Sequence, residues 1–168
     1  FTTLSQELGA SGVVSVVNQI FDVVGNAVKE NDGEILKFMG DAVLIVFADD
    51  EGGSRNKMVN SMLKTVQTAV EGVAALGKQL NLPLAIGFGG HIGDVLYGNI
   101  GTEERLDFTV MGPSVNLASR LEGLCKKFDT AAVFSENAAC QCEKSLTKLG
   151  EETLKGIKNA VPVWGLNR

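Results

Sequence analysis

Proline and cysteine are scarce in this chain, three of each in 168 residues, and it has one histidine, one tryptophan and one tyrosine. Three thiols at irregular spacing (Cys125, Cys140 and Cys142) cannot close a disulfide framework, and no His or Cys partner stands at metal spacing from them. The setting they imply is reducing and cytoplasmic. No basic run of five exists and the net charge is -5, which argues against a nucleic-acid surface or a patch for anionic membranes. The longest apolar runs, such as Ala42-Val43-Leu44-Ile45-Val46-Phe47-Ala48, fall far short of the roughly 20 residues that span a bilayer. No membrane contact by this domain is therefore expected. Nothing at the N-terminus resembles a signal peptide, and Phe1-Thr2-Thr3-Leu4 reads as the interior of a longer protein.

What is abundant is apolar material, 45% of the residues, enough for the core of one domain over residues 1–168. Val13, Val16, Val17, Ile20, Val24 and Val28 recur at helical spacing and predict a helix over 12–29. Strands are predicted at 34–38 and 42–47, joined tightly through Met39-Gly40-Asp41, followed by a long helix over 58–80. Strands at 82–90 and 94–98 flank a glycine-rich link. Beyond them lie a strand at 131–134, a helical stretch begun by Ser135, and closing strands at 152–154 and 161–166. With one strand supplied from before Phe1, this order predicts an α+β fold, a ferredoxin-like βαββαβ core with a C-terminal extension.

The run from Asp107 to Glu122 is the most informative stretch. It reads as a short strand, a Gly112-Pro113 break, and a helix with Pro113 in its first turn. Asn116 and Arg120 stand four apart and share one helix face, while Leu117, Leu121 and Leu124 form a separate apolar stripe. An amide beside a permanent cation suits a phosphoryl oxygen in transfer; a solvated Arg on an amphipathic helix fits the same spacing. Asp41, in the tight turn, is placed either for a hard cation such as Mg²⁺ or merely as an ordinary turn residue. One Asp is too few for a catalytic metal pair. Lys37 is a snorkelling edge residue or a donor held in a pocket. The glycines at 87–93 and 98–101 follow neither a Walker loop nor a dinucleotide fingerprint and are read as structural. His91 is read as packed or surface, Cys125 as core. Lys155-Gly156-Ile157-Lys158 is a compact cationic turn that meets phosphates or solvent.

Taken together, Lys37-Phe38-Met39-Gly40-Asp41-Ala42, Gly98-Asn99-Ile100-Gly101, the run 107–122 and Leu154-Lys155-Gly156 resemble the catalytic domain of the class III nucleotide cyclases, in order and at matching separations. Phe1-Thr2-Thr3-Leu4-Ser5 is similar to the tail of that family's first metal motif. The resemblance implies an adenylate cyclase of bacterial type, converting ATP to 3′,5′-cyclic AMP and pyrophosphate with two Mg²⁺ or Mn²⁺ ions per site. Asp41 resembles the second metal aspartate; the first would precede Phe1, as would the first strand. Lys37 resembles the lysine that reads adenine, and Thr109 stands where its partner does. Asn116 looks like the ribose-orienting residue, Arg120 the one stabilising the α-phosphate, and Lys155 the lysine near the terminal phosphates, with Lys158 a less secure substitute. Guanylate cyclases of the family typically place Glu where Lys37 stands. The resemblance further implies a head-to-tail homodimer with shared active sites, regulatory domains elsewhere in the full protein, and a whole protein that is cytoplasmic or membrane-anchored. The alternative is a catalytically degenerate dimerisation or nucleotide-sensing module. A diguanylate cyclase is set aside, because Met39-Gly40-Asp41-Ala42-Val43 is not the Gly-Gly-Asp/Glu-Glu-Phe hairpin that chemistry needs.

Overall fold

The computed structural model describes residues 2–48, 54–102, 105–142, 146–157 and 159–166; Lys158 lies outside them. Helix α1 (Thr2–Glu30) leads into the hairpin β1 (Glu34–Met39) and β2 (Ala42–Val46), then α2 (Arg55–Leu80). β3 (Phe88–Gly90), β4 (Leu96–Thr102) and β5 (Arg105–Met111) precede α3 (Pro113–Glu122). β6 (Ala132–Ser135), α4 (Glu136–Ala139), β7 (Leu146–Glu152) and β8 (Val161–Leu166) close the chain. The expected α+β class is observed, with helices over antiparallel and mixed sheets.

Among the described residues the strands form three sheets: β1-β2, β4-β5, and a four-stranded one in the order β3-β6-β8-β7. Of these pairings, that of β3 with β6 is parallel and the others antiparallel. Alternation along β6 divides the core. Ala132 and Phe134 pack under Val59, Leu63 and Val66 of α2, whereas Val133 faces Leu121, Cys125 and Val163 on the side of α3. A third cluster joins Val24, Ala27 and Val28 of α1 to Ala69 of α2 and to Ile35, Val43 and Ile45 of the hairpin.

Several boundaries differ from the sequence reading, each for a local reason. α1 begins ten residues earlier than expected, at Thr2, and bends at Gly9, whose φ of 66° and ψ of 173° are not helical. The stretch Leu8–Glu30 reaches a mean hydropathy of 1.4, long and apolar enough by composition to cross a bilayer. Asn18, Gln19 and Asp22 break it into short apolar runs, none of spanning length. In this fold its inner face, Val13, Val16, Val24, Ala27 and Val28, is buried. The strand expected over 82–90 shrinks to Phe88–Gly90, since Pro83 cannot donate to a ladder and pairing with β6 begins only at Phe88. Of the strand expected at 152–154 only Glu152 is in one, as the last residue of the longer β7; Thr153 and Leu154 lie outside it. Ser135 caps α4 as expected, accepting from the Ala138 amide.

Cys125 is core, as read. Burial pushes its thiol up to about 11, and the thiol donates to the Phe88 carbonyl at 3.3 Å. At pH 8 about one molecule in a thousand then carries the reactive thiolate. Iodoacetamide at that pH is expected to alkylate the exposed Cys140 and to spare Cys125 until denaturant is added. Peptide mass spectrometry reads both sites, and early labelling of Cys125 contradicts a packed α3.

Candidate active site

The β1–β2 hairpin turns through two residues, Gly40 and Asp41, between the paired Met39 and Ala42. Gly40 takes a φ of 68° and Asp41 keeps a negative one, the pattern of a II′ turn, in which glycine leads. Asp41 is thereby lifted to an exposed apex. It borders a groove of about 540 Å³ lined on the other side by Val13, Val17 and Phe21 of α1.

Lys37 reaches its place through a register shift. Ile35 pairs with Ile45 but Lys37 pairs with Leu44, so Leu36 is an extra residue in β1. In an unbroken strand Lys37 would share the face of Ile35, which packs into the helices. The shift turns it to the opposite face, where Glu34 also points and accepts from the Tyr97 hydroxyl of β4 at 3.5 Å. Phe38 takes the helical face instead, its ring 4.7 Å from Phe21.

Thr109 lies on β5 opposite Gly98 of β4 and is 7% exposed. A Cβ at Gly98 would meet nothing within 4 Å, so the face beside Thr109 is open there. β5 lies alongside β1, which brings the strand of Thr109 to the strand of Lys37 without joining them in one ladder.

α3 rests on β3 at Gly89, where a Cβ would fall 2.4 Å from the Glu122 amide nitrogen and closer still to the Ala118 carbonyl. With Leu121 buried beneath it, the helix presents Asn116, exposed, and Arg120, half-buried, on its outer side. After β7 the chain makes a turn, with Leu154 buried and the Ile157 amide donating to the Leu154 carbonyl at 3.0 Å. Gly156 has a φ of 80°, and a Cβ there would sit 3.8 Å from Arg120 Nη2. The Arg120 guanidinium therefore lies against the backbone of the turn that holds the exposed Lys155. Arg120 and the turn that carries Lys155 come together from distant parts of the chain.

His91 is packed, as read, but with partners that spacing could not reveal. Its Nδ1 lies 2.8 Å from Ser135 Oγ at the end of β6, and burial holds its pKa below the ordinary value. Ser114, in the first turn of α3, donates to the Asp94 carbonyl at 2.8 Å and pins the helix start to the β3–β4 connection. Only a hydroxyl one residue after Pro113 hinted at that contact.

Residues 1–167 match the adenylate and guanylate cyclase catalytic domain. The chain belongs to the class III nucleotide cyclases. This cyclase domain is 31% identical over 169 residues to adenylate cyclase 1 of Rhizobium meliloti, covering 98% of the chain but 25% of that protein. It thus spans about a quarter of that curated relative's length. Among solved structures, the adenylyl cyclase CyaB from P. aeruginosa superposes with a TM-score of 0.88 at 25% identity, over 99% of this chain and 88% of that one. The guanylyl cyclase Cya2 gives 0.75 at 27%, over 98% and 85%. Relatives of both substrate types therefore share the fold.

For a divalent ion, Asp41 is a suitable hard oxygen donor, exposed and without an ion pair among the described residues. It stands alone. No group of three or more His, Cys, Asp or Glu side chains among the described residues forms a metal cluster.

Proposed function

We propose that this cyclase domain acts on ATP, releasing 3′,5′-cyclic AMP and pyrophosphate. The ribose 3′-oxygen forms a bond to the α-phosphorus as its proton leaves, and the bond from the α-phosphorus to the β-bridging oxygen breaks. The observation that carries the reading is the meeting of Arg120 with the Lys155–Gly156 turn. A fork of N–H donors beside a turn that carries an exposed lysine suits a triphosphate better than any neutral ligand.

Arg120 is assigned to the α-phosphoryl oxygens, where charge shifts in the transition state, and Lys155 to the terminal phosphates, with Lys158 in a supporting role. Asn116, one turn before Arg120, orients the ribose. Lys37 donates to adenine N1, and the Thr109 hydroxyl accepts from the N6 amine, a pairing that guanine would not satisfy. Asp41 is assigned as a ligand of Mg²⁺ or Mn²⁺, two ions per site, with the second carboxylate coming from residues preceding Phe1. When bound, such ions lower the 3′-hydroxyl pKa and balance triphosphate charge. A head-to-tail homodimer is part of the reading: Asp41 of one protomer serves a site completed by Lys37, Thr109, Asn116, Arg120 and Lys155 of its partner. Regulatory segments belong to the rest of the protein, and the domain works in the cytoplasm.

The test is cyclic nucleotide formation from ATP and from GTP, with Mg²⁺ or Mn²⁺, by this chain and by a version extended upstream. Cyclic AMP is expected from the extended form, and Lys37→Glu should lower kcat/KM for ATP on the order of 10- to 100-fold, the range for a lost charged hydrogen bond. Turnover of GTP alone overturns the assignment of ATP. ATP bound without turnover by either form points instead to a nucleotide-sensing module.

A further inference from the structure

The turn that carries Lys155 lies beyond the last ladder pair, Glu152 with Val161, so strand pairing does not set its position. Burial of Leu154 anchors its start, and two contacts from one segment flank it. α3 continues past Glu122 through a tight turn in which the Cys125 amide donates to the Glu122 carbonyl and the Phe128 amide to the Leu124 carbonyl. The beginning of this segment places Arg120 Nη2 against Gly156. Its end places Lys127 Nζ 2.6 Å from Glu152 Oε1. The Glu152 side chain is 17% exposed and that of Lys127 58%, so the carboxylate is held and the lysine arrives from solvent. The Lys127 ammonium also sits 5.5 Å from the centre of the Phe128 ring, and Phe128 packs on the Leu121 cluster. Its stem is therefore pre-placed, which lowers the entropy lost in forming the pair.

We infer that Lys127 and Glu152 are a positioning pair that fixes the Lys155–Gly156 turn against Arg120. Neither touches substrate. Their effect is to hold two phosphate-directed cations at one separation. Breaking the pair from the lysine side also leaves a carboxylate three residues from Lys155, a local competitor for its ammonium. The catalytic consequence rests on the ATP reading above; the placement of the turn does not.

The experiment compares Lys127→Gln, Glu152→Gln and the charge-swapped double variant Lys127→Glu/Glu152→Lys in the full chain. Amide hydrogen exchange across residues 154–157 is read alongside KM and kcat for ATP and the thermal midpoint. Each single variant should speed exchange of the Ile157 amide about five-fold, near the upper end for a pair this exposed. Each should also raise KM several-fold with little change in midpoint, and the swapped pair should restore both readouts. Unchanged exchange in the single variants overturns the inference, as does a double variant no better than they are. Faster exchange with KM and kcat unmoved in an active enzyme overturns it too, since the pair would then only brace the fold. KM and kcat are read in the upstream-extended form; if its wild type makes no cyclic AMP, the ATP reading falls and the exchange data alone decide the pair.

Discussion

Replacing Arg120 by alanine is expected to lower kcat for ATP cyclisation by about 10²- to 10³-fold, the usual cost of removing a donor aimed at transition-state charge. KM should move much less, because ground-state contacts to the triphosphate remain with Lys155. The fold should survive. Arg120 is half-buried on the outer side of α3, and the helix is anchored by Leu121 and by the Ser114 contact to the Asp94 carbonyl. An unchanged thermal midpoint with lost turnover is thus the expected signature. Asp41→Ala should be equally inactive through a different chain of the dimer. Mixing the two variants should return roughly a quarter of wild-type activity, since half of random dimers are mixed and each mixed dimer has one intact site. No recovery in a proven mixed dimer sinks the shared-site arrangement.

Gly89→Ala should be the most damaging single methyl in the domain. The added carbon would overlap backbone atoms at Ala118 and Glu122, neither of which can swing aside as a side chain does. The helix must instead lift from β3, opening the Leu121 cluster. Overpacking of this kind costs about 3 kcal/mol or more, and in a chain of this size that lowers the midpoint by roughly 6–12 °C. Gly98→Ala is the matched comparison. Its Cβ would meet nothing within 4 Å, and its midpoint should stay close to wild type. Equal midpoints for the two variants would contradict the close approach of α3 to β3.

The helix bearing Asn116 and Arg120 was legible in the sequence because its signals are local: Pro113 at the start and a leucine stripe at helical spacing. The Gly40-Asp41 turn and the Ser135 cap were legible for the same reason. What spacing could not show are contacts between distant segments. Arg120 meets Gly156, and Lys127 meets Glu152 across 25 residues, with no shared period to announce either. Most of β7 was not legible because Thr147, Lys148 and Glu151 give it few apolar positions, and Leu149 stands as an extra residue where the register shifts, beside Gly150 at a φ of 144°. The extra residue in β1 was equally hidden. Leu36-Lys37-Phe38 looks like simple alternation, and only pairing with β2 shows which face each side chain takes.

The extra Leu36 lets one short strand keep two different beats. Its first half marks time with the hydrophobic interior, and its second half runs out of phase, so that a cation stands where a core residue was due. The two halves are thereby uncoupled: Ile35 is answerable to packing, and Lys37, on the other face, is released from it. One more residue in β2, set opposite Leu36, would bring the halves back into step and turn the ammonium toward the helices.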